Sequence, residues 1–431
     1  MTPAARLSAA IEVLDDLISR RRPASDALKD WGLSHRFAGS GDRAAIAALV
    51  YDTLRRRSSA SFLMKSETPR AMLFGALLLE RGLTCDEISA LCSGEKFAPE
   101  PLTADEAASL QGAVLDDAPP PVIGDYPEWL DASFQDAFGD HRGQELKALA
   151  HRAPLDLRVN TIKTTRERVM EELSHFNPEI TPHSAVGIRI HPSLDGRAPS
   201  VQAEPAFQKG LYEIQDEGSQ LVAALCAVDP GMQVIDLCAG AGGKTLALAA
   251  LMNNRGQIFA TDSDKRRLAP IFDRLTRSGA RNVQVRAPKT KEDEPLKGLE
   301  GQADLVLIDA PCTGTGTWRR NPDAKWRLRP NALEDRIKEQ KSVLDRAASF
   351  VKRGGRMAYI TCSLLPKEND DAVEQFLKAH DSFTLIDPEH VALSAGFPSL
   401  AAFVSVKEKG LQLTPHRTGT DGFYISLLKR N

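Results

Sequence analysis

The chain has 431 residues, 42% of them hydrophobic and 26% charged, which is too long for one hydrophobic core and ordinary in composition for a globular protein. A net charge of −3 at pH 7 excludes a globally basic nucleic-acid binder, so contact with a polyanion has to come from local basic surface. The six cysteines form no Cys-x-x-Cys pair and no zinc-like Cys/His spacing, and no apolar run approaches the roughly 18 residues of a membrane span. Residues 2–16 carry acids where a signal peptide would carry an apolar stretch, so a cytoplasmic protein with reduced thiols is expected, with no metal and no membrane partner.

In chain order, Leu7, Ile11, Leu14 and Ile18 recur at helical spacing, and Arg20-Arg21-Arg22 before Pro23 closes that helix. Asp42 is placed to cap a second helix that carries Ile46, Leu49, Val50 and Leu54 and closes on Arg55-Arg56-Arg57. Met72 to Leu79 is a third apolar run, ended by Gly82. Short helices without strand signals make an all-α module, and its two arginine triplets read either as phosphate contacts or as solvated helix ends. Residues 112–125, with Pro119-Pro120-Pro121 and several acids, have the composition of a linker, so the first domain with its linker spans 1–125. Residues 127–150 are again helical in pattern. Leu155 to Asn160 then alternates like a strand, Arg166 to Leu173 like a helix and Gly187 to Ile190 like a strand. A small α/β subdomain over 126–205 follows from that order.

From 206 to 431 strand and helix patterns alternate: strands at 234–237, 257–261, 283–286, 304–308, 356–360 and 422–428, with helical stretches in most gaps. This order predicts a doubly wound, mostly parallel α/β sheet that binds its ligand at the carboxyl ends of the strands. Asp236, Asp262, Asp309 and the residues after Ile360 then surround one crevice. The turn after the first strand is Cys238-Ala239-Gly240-Ala241-Gly242-Gly243-Lys244-Thr245. A P-loop needs glycine at 238 and a dinucleotide fingerprint needs Gly or Ala at 245; Cys238 and Thr245 break them. What remains is a glycine turn with an acid, Asp262, at the end of the second strand, placed to hold ribose hydroxyls. An adenosine cofactor without a pyrophosphate suits this arrangement, and S-adenosylmethionine is one.

Two further strand ends each deliver a cysteine. One is Asp309-Ala-Pro-Cys312-Thr-Gly-Thr-Gly316, whose glycine and threonine content keeps Cys312 out of a core, and the other is Thr361-Cys362-Ser363. A lone cysteine after a strand belongs to the core; two at the ligand edge point to chemistry. The stretch Trp318 to Arg329 follows, with five basic residues and two tryptophans. Basic side chains track phosphates and aromatic faces stack on unpaired bases, so Trp318, Arg319, Arg320, Lys325 and Arg327 are the candidate RNA contacts, against a plain charged loop.

Together these segments resemble the RsmB/Sun family of RNA cytosine-5 methyltransferases. The motifs are Asp309 to Gly316, Thr361-Cys362-Ser363 with Glu368-Asn369, and Asp236 to Thr245; Gln215 to Gln220 and Pro415 through Phe423 also match. Asp42-Arg43 and Tyr51 to Arg55 resemble the family's NusB-like opening domain, and Arg158-Val159-Asn160 the start of its RNA-binding insert, so the likeness spans nearly the whole chain. It implies a Rossmann-like class I methyltransferase domain with an antiparallel last strand, preceded by an all-α NusB-like domain and a small α/β RNA-binding subdomain. It also implies S-adenosylmethionine as cofactor, bound by residues 238–244, Asp262 and Asp309, and RNA as substrate; a monomer is expected by default. Cys362 becomes the nucleophile and Cys312 the group that assists release, with Asp309 at the cytosine edge or the cofactor. Lys244 favours anionic partners or steadies the thiolate. The NusB-like opening implies small-subunit ribosomal RNA, with transfer RNA as the alternative. A DNA cytosine methyltransferase would have no need of the Thr-Cys thiol. The remaining alternatives are an inactive RNA-binding assembly factor and, more distantly, an NTPase. One departure stands out: after the third strand, where the family places an adenine-contacting Asp, this chain has Ala287-Pro288.

Overall fold

The computed structural model describes residues 1–192, 199–290 and 293–431. The stretch 193–198, inside the small subdomain expected over 126–205, lies outside the described residues. The described chain compacts into two units: Met1–Arg152 with Trp318–Leu328 make the first, and Ala153–His191, Pro199–Thr317 and Arg329–Asn431 belong to the second.

The first unit is helical throughout. Its longer helices are Pro3–Arg20, Ala24–Ser34, Ser40–Arg55 and Pro69–Arg81. Thr2 and Thr68 supply side-chain N-caps before a proline at the first turn, and Gly82 ends the last of these helices in the left-handed region at φ 62°. The apolar faces read from the sequence meet in one core that includes Leu7, Leu14, Ile46, Leu49, Val50, Leu54 and Phe74. Helix Ala24–Ser34 has no counterpart in the sequence reading, because its inward face is made of Ala24, Ala27 and Trp31, a weak apolar stripe. Asp42 is not the cap of the next helix: Gly39 is, and Asp42 lies in the first turn and accepts from Arg6 Nε at 2.9 Å.

Two other expectations are corrected here. Residues 112–125 are not a free linker. Pro120–Ile123 form a helical turn, and Asp125 is wholly buried, its carboxylate accepting from Ser59 N–H (2.9 Å) and Ser59 Oγ (2.7 Å). A polar, proline-rich stretch becomes interior when a buried donor waits for its carboxylate. Nor is the second arginine triplet a phosphate-facing helix end. Arg55 and Arg56 are buried; Arg55 faces Asp52 at 3.5 Å, and Arg56 pairs with Glu80 and with Asp125 at 3.7 Å.

The second unit holds two sheets. The small one comprises β1 (Leu155–Val159), β2 (Glu179–Ile180), β3 (Gly187–Ile190) and β4 (Tyr212–Ile214) in the order β2-β3-β1-β4, all antiparallel. The large one comprises β5 (Gln233–Asp236), β6 (Gln257–Ala260), β7 (Val283–Val285), β8 (Ala303–Asp309), β9 (Val351–Thr361), β10 (Phe383–Leu385), β11 (Leu411–Leu413) and β12 (Phe423–Arg430). Its order is β10-β12-β9-β8-β5-β6-β7, with β11 also on β12. Strands β5 to β9 pair in parallel, and β12 is antiparallel to β9, as expected for the last strand. The short β10 and β11 go unannounced in the sequence, since three residues carry too little alternation to register. From β5 the chain steps to β6 and β7 on one side and returns to β8 and β9 on the other. The carboxyl ends of β5 and β8 therefore flank the point where strand order reverses, which is where open α/β sheets leave a crevice.

Candidate active site

The β5 strand ends at Asp236, and the chain then turns sharply into helix Gly243–Leu251. Gly240 at φ 50° and Gly242 at φ 83° lie in the left-handed region. A Cβ on Gly242 would come within 2.5 Å of Ile271 Cγ1, so glycine is required there both by conformation and by space. The turn is laced to the end of β6: Ala239 N–H donates to Thr261 O at 2.8 Å and Gly240 N–H to Asp262 Oδ2 at 3.0 Å. Arg274 Nη1 donates to Ala241 O at 2.8 Å, which braces the turn from helix Ile271–Ser278. Cys238 packs its side chain against the core behind the sheet, and burial raises its thiol. Burial also pushes Asp236 up to about 7. Thr245 Oγ1 donates to Asp236 Oδ2 at 2.6 Å, while buried Asp236 Oδ1 has no hydrogen-bond partner among the described residues.

Asp309 closes β8. Its Oδ2 accepts from Lys244 Nζ at 2.7 Å, so the lysine of the turn is engaged and buried instead of solvated, and its ammonium also lies 5.0 Å from the Phe423 ring centre. Asp309 itself is half-exposed. Parallel pairing sets Asp309 opposite Ile360, so the loops after β8 and β9 leave the sheet side by side. Cys312 Sγ and Cys362 Sγ, one from each loop, lie 3.4 Å apart. The contact with Cys362, then burial, raise the Cys312 thiol well above its usual range.

Two glycines hold this approach. Gly316 N–H donates to Cys362 O at 2.9 Å, and Gly422 N–H donates to Gly316 O at 2.8 Å. A Cβ on Gly316 would sit 2.2 Å from Gly422 O, so backbone meets backbone there. Behind the thiols Glu368 is fully buried and accepts from Thr313 N–H at 2.8 Å and Gln340 Nε2 at 3.0 Å. Asn369 is buried too: it accepts from Thr361 Oγ1 at 2.6 Å and donates to Ser363 O at 2.9 Å. In the sequence Glu368-Asn369 stand out only as part of a motif, and Gln340 does not stand out at all, because a glutamine inside a helix carries no local signal.

Residues 238–244, Asp262, Asp309, Cys312 and Cys362 thus gather at one sheet edge. The expected RNA contacts belong to the other unit. Trp318, Arg319 and Lys325 are buried in the helical unit. Trp318 stands edge-on to Phe134, with ring centres 6.1 Å apart. Lys325 Nζ donates to Arg55 O at 3.2 Å, and Trp326 Nε1 to Leu54 O at 2.6 Å. Burial pushes Lys325 down to about 7. Arg320 is half-buried, and Arg327 is exposed beside Asp323 at 3.2 Å. The physical reason is that both tryptophans and the lysine stem are large apolar bodies, worth more in a core than on a surface. Among the described residues no cluster of His, Cys, Asp or Glu is placed to hold a metal ion, and no helix is long and apolar enough to cross a membrane.

Comparison with known proteins bears on the same regions. The family model described as 16S rRNA methyltransferase RsmB/F matches residues 223–429, and an RsmF/B-like ferredoxin-like domain model matches 126–195. A probable ribosomal RNA small subunit methyltransferase B from Synechocystis sp. is 32% identical over 309 residues, 71% of this chain and 67% of that protein. A ribosomal RNA small subunit methyltransferase B from Pectobacterium carotovorum subsp. carotovorum is 33% identical over 311 residues, 71% of this chain and 66% of that one. The chain thus spans about two thirds of the length of the curated relatives it matches. Among solved structures, PH0851 superposes with a TM-score of 0.69 at 26% identity, covering 100% of this chain and 99% of that one.

Proposed function

This chain belongs to the RsmB/F methyltransferase family, and from that premise we propose that it methylates C5 of a cytosine in RNA, with S-adenosylmethionine as donor and small-subunit ribosomal RNA as substrate. The observation that carries the proposal is the 3.4 Å approach of Cys312 and Cys362 beside the glycine turn. C5 of cytosine is a poor nucleophile, and a reaction at that atom calls for two groups: one that activates the ring and one that restores it.

Cys362 Sγ, as thiolate, adds to C6, and the C5–C6 electron pair becomes available at C5. S-adenosylmethionine, when bound, supplies an electrophilic methyl carbon on a sulfonium. With the methyl on C5, the C5 proton leaves to a base, the C5–C6 double bond re-forms and the C6–S bond breaks, its electron pair returning to Cys362. We assign the release step to Cys312. Its Sγ, 3.4 Å from Cys362 Sγ, takes the C5 proton as a thiolate, its own proton having left to solvent beforehand.

The residues present fit the cofactor. Gly240, with room where a Cβ would stand, lets a ligand approach the backbone, Asp262 beside it suits ribose hydroxyls, and Oδ1 of Asp236, unpartnered among the described residues, offers a buried acceptor. Lys244 orients Asp309 toward the cytosine edge or the cofactor. The small antiparallel sheet is assigned to RNA binding with the helical unit. A base attacked at C6 has to leave its stack, so the substrate cytosine is unpaired or flipped.

The test is transfer of labelled methyl groups from S-adenosylmethionine to purified ribosomal and transfer RNA by wild type, Cys362→Ala and Cys312→Ala, with a denaturing gel for protein–RNA adducts. Cys362→Ala should lose roughly 10³-fold or more of the rate, and Cys312→Ala should accumulate an adduct on ribosomal RNA. An adduct seen only in Cys362→Ala reverses the two roles. Wild type that binds RNA yet labels none rules out the enzyme.

A further inference from the structure

Glu368 stands apart from the other acids of the site because it touches neither the glycine turn nor either sulfur, yet its carboxylate joins both cysteine loops. Oε1 accepts from the backbone N–H of Thr313, the residue after Cys312, at 2.8 Å, and from Gln340 Nε2 at 3.0 Å. Oε2 accepts from the hydroxyls of Thr313 and of Ser363, the residue after Cys362. Gln340, in helix Pro330–Phe350, also donates to Pro311 O at 2.9 Å, so it holds the residue before Cys312 from the same amide. The far end of Glu368 is fixed as well, since its own carbonyl accepts from Tyr359 Oη on β9 at 2.6 Å. The residue has no exposed surface, and a buried carboxylate with this many donors is kept only where its acceptors are all in use.

We propose that Glu368 is a positioning residue for the two-thiol reaction: its carboxylate ties the Cys312 loop to the Cys362 loop and so sets the distance between the thiol that holds C6 and the thiol that serves release. The inference rests on the cytosine-5 reading above. Both loops are otherwise rich in glycine, serine and threonine, which do not stiffen a backbone; Ala310 N–H to Ile360 O joins their starts, and Gly316 N–H to Cys362 O and Leu364 N–H to Thr315 Oγ1 join them beyond the cysteines, which leaves Thr313 to Glu368. Removing the carboxylate frees Thr313 and with it Cys312, while Cys362, at the end of the long central strand β9, keeps its place. Cys362 should then still add to the base, whereas Cys312 should fail to complete release.

This imbalance separates positioning from plain structural support. In Glu368→Ala, with both cysteines intact, a covalent protein–RNA adduct should accumulate while turnover falls about 10²-fold, and the KM for S-adenosylmethionine should stay within about twofold. Glu368→Gln, which keeps an acceptor for Thr313 N–H, should restore most of the turnover and remove the adduct. Adduct and product that fall together, in proportion to the folded fraction, would overturn the inference and leave the cytosine-5 reading intact. Wild type that labels no RNA, together with Cys312→Ala that traps no adduct, overturns the cytosine-5 reading and this inference with it.

Discussion

Residues 309–317 and 318–328 are consecutive and similar in kind, each rich in polar side chains, yet they end in different units. The first keeps Cys312 and Thr313 half-buried beside Cys362. The second is built into the helical unit: Trp318 lies against Phe134, Asp323 Oδ2 accepts from Ala24 N–H at 3.2 Å at the start of a helix, and Arg55 Nη2 donates to Arg319 O at 3.3 Å. What separates them is the size of the apolar side chains. Cys, Thr and Gly offer little area to bury, and two tryptophans with a lysine stem offer a great deal. A cluster of aromatic and basic residues after a strand-end cysteine loop therefore marks a core as readily as an RNA surface.

This comparison is best broken at Trp318. Trp318→Ala should destabilise the helical unit by about 3–5 kcal/mol, seen as an earlier unfolding transition, and Trp318→Phe should cost less because buried Trp318 Nε1 has no acceptor among the described residues. All four tryptophans, Trp31, Trp129, Trp318 and Trp326, fall in the helical unit, so their fluorescence follows that unit alone. A Trp318→Ala variant of unchanged stability and weakened RNA affinity would return this segment to the RNA-facing role.

Lys325 gives a finer test through pH. Burial lowers it from 10.5 to about 7, with Asp125 opposing and Arg56 and Arg55 adding to the fall. Between those two values the unfolded chain binds more protons than the folded one, so stability should rise with pH across about 7 to 10.5, by at most ~1.4 kcal/mol per pH unit. Below pH 7 the ammonium is present in both states and this dependence should vanish. Lys325→Met should abolish the rise in a denaturant series followed by tryptophan fluorescence; a rise that persists assigns it to another group. The smallest effect is expected at Arg327, exposed beside Asp323: Arg327→Ala should change stability by less than about 0.5 kcal/mol. A loss of RNA affinity there, with stability unchanged, would leave Arg327 as the part of this segment that does meet RNA.

Where sequence reading succeeded, the signal was local. The glycine turn at 240–243, the acids ending β5 and β8 or just past β6, and the two strand-end cysteines all follow from short patterns, because a turn or a strand end is specified by its own few residues. Helix Ala24–Ser34, with an inward face of alanines, and the three-residue strands β10 and β11 lacked that signal. Asp42 shows how helix boundaries escape local patterns: the helix is legible, but its cap stands three residues earlier, at Gly39, which serves by backbone conformation alone.

By itself the chain determined its alternation of elements, the sheet edge at which the candidate site residues collect, and which two cysteines leave neighbouring strand ends. Only the tertiary structure decided that Cys312 and Cys362 meet at 3.4 Å, that Glu368 and Gln340 tie their loops, and that Lys325 and Asp125 are interior. Each of those facts depends on residues tens to hundreds of positions apart. Burial of a lysine or a carboxylate is settled by the partners that folding brings to it, and no pattern within a local stretch of sequence records who those partners are.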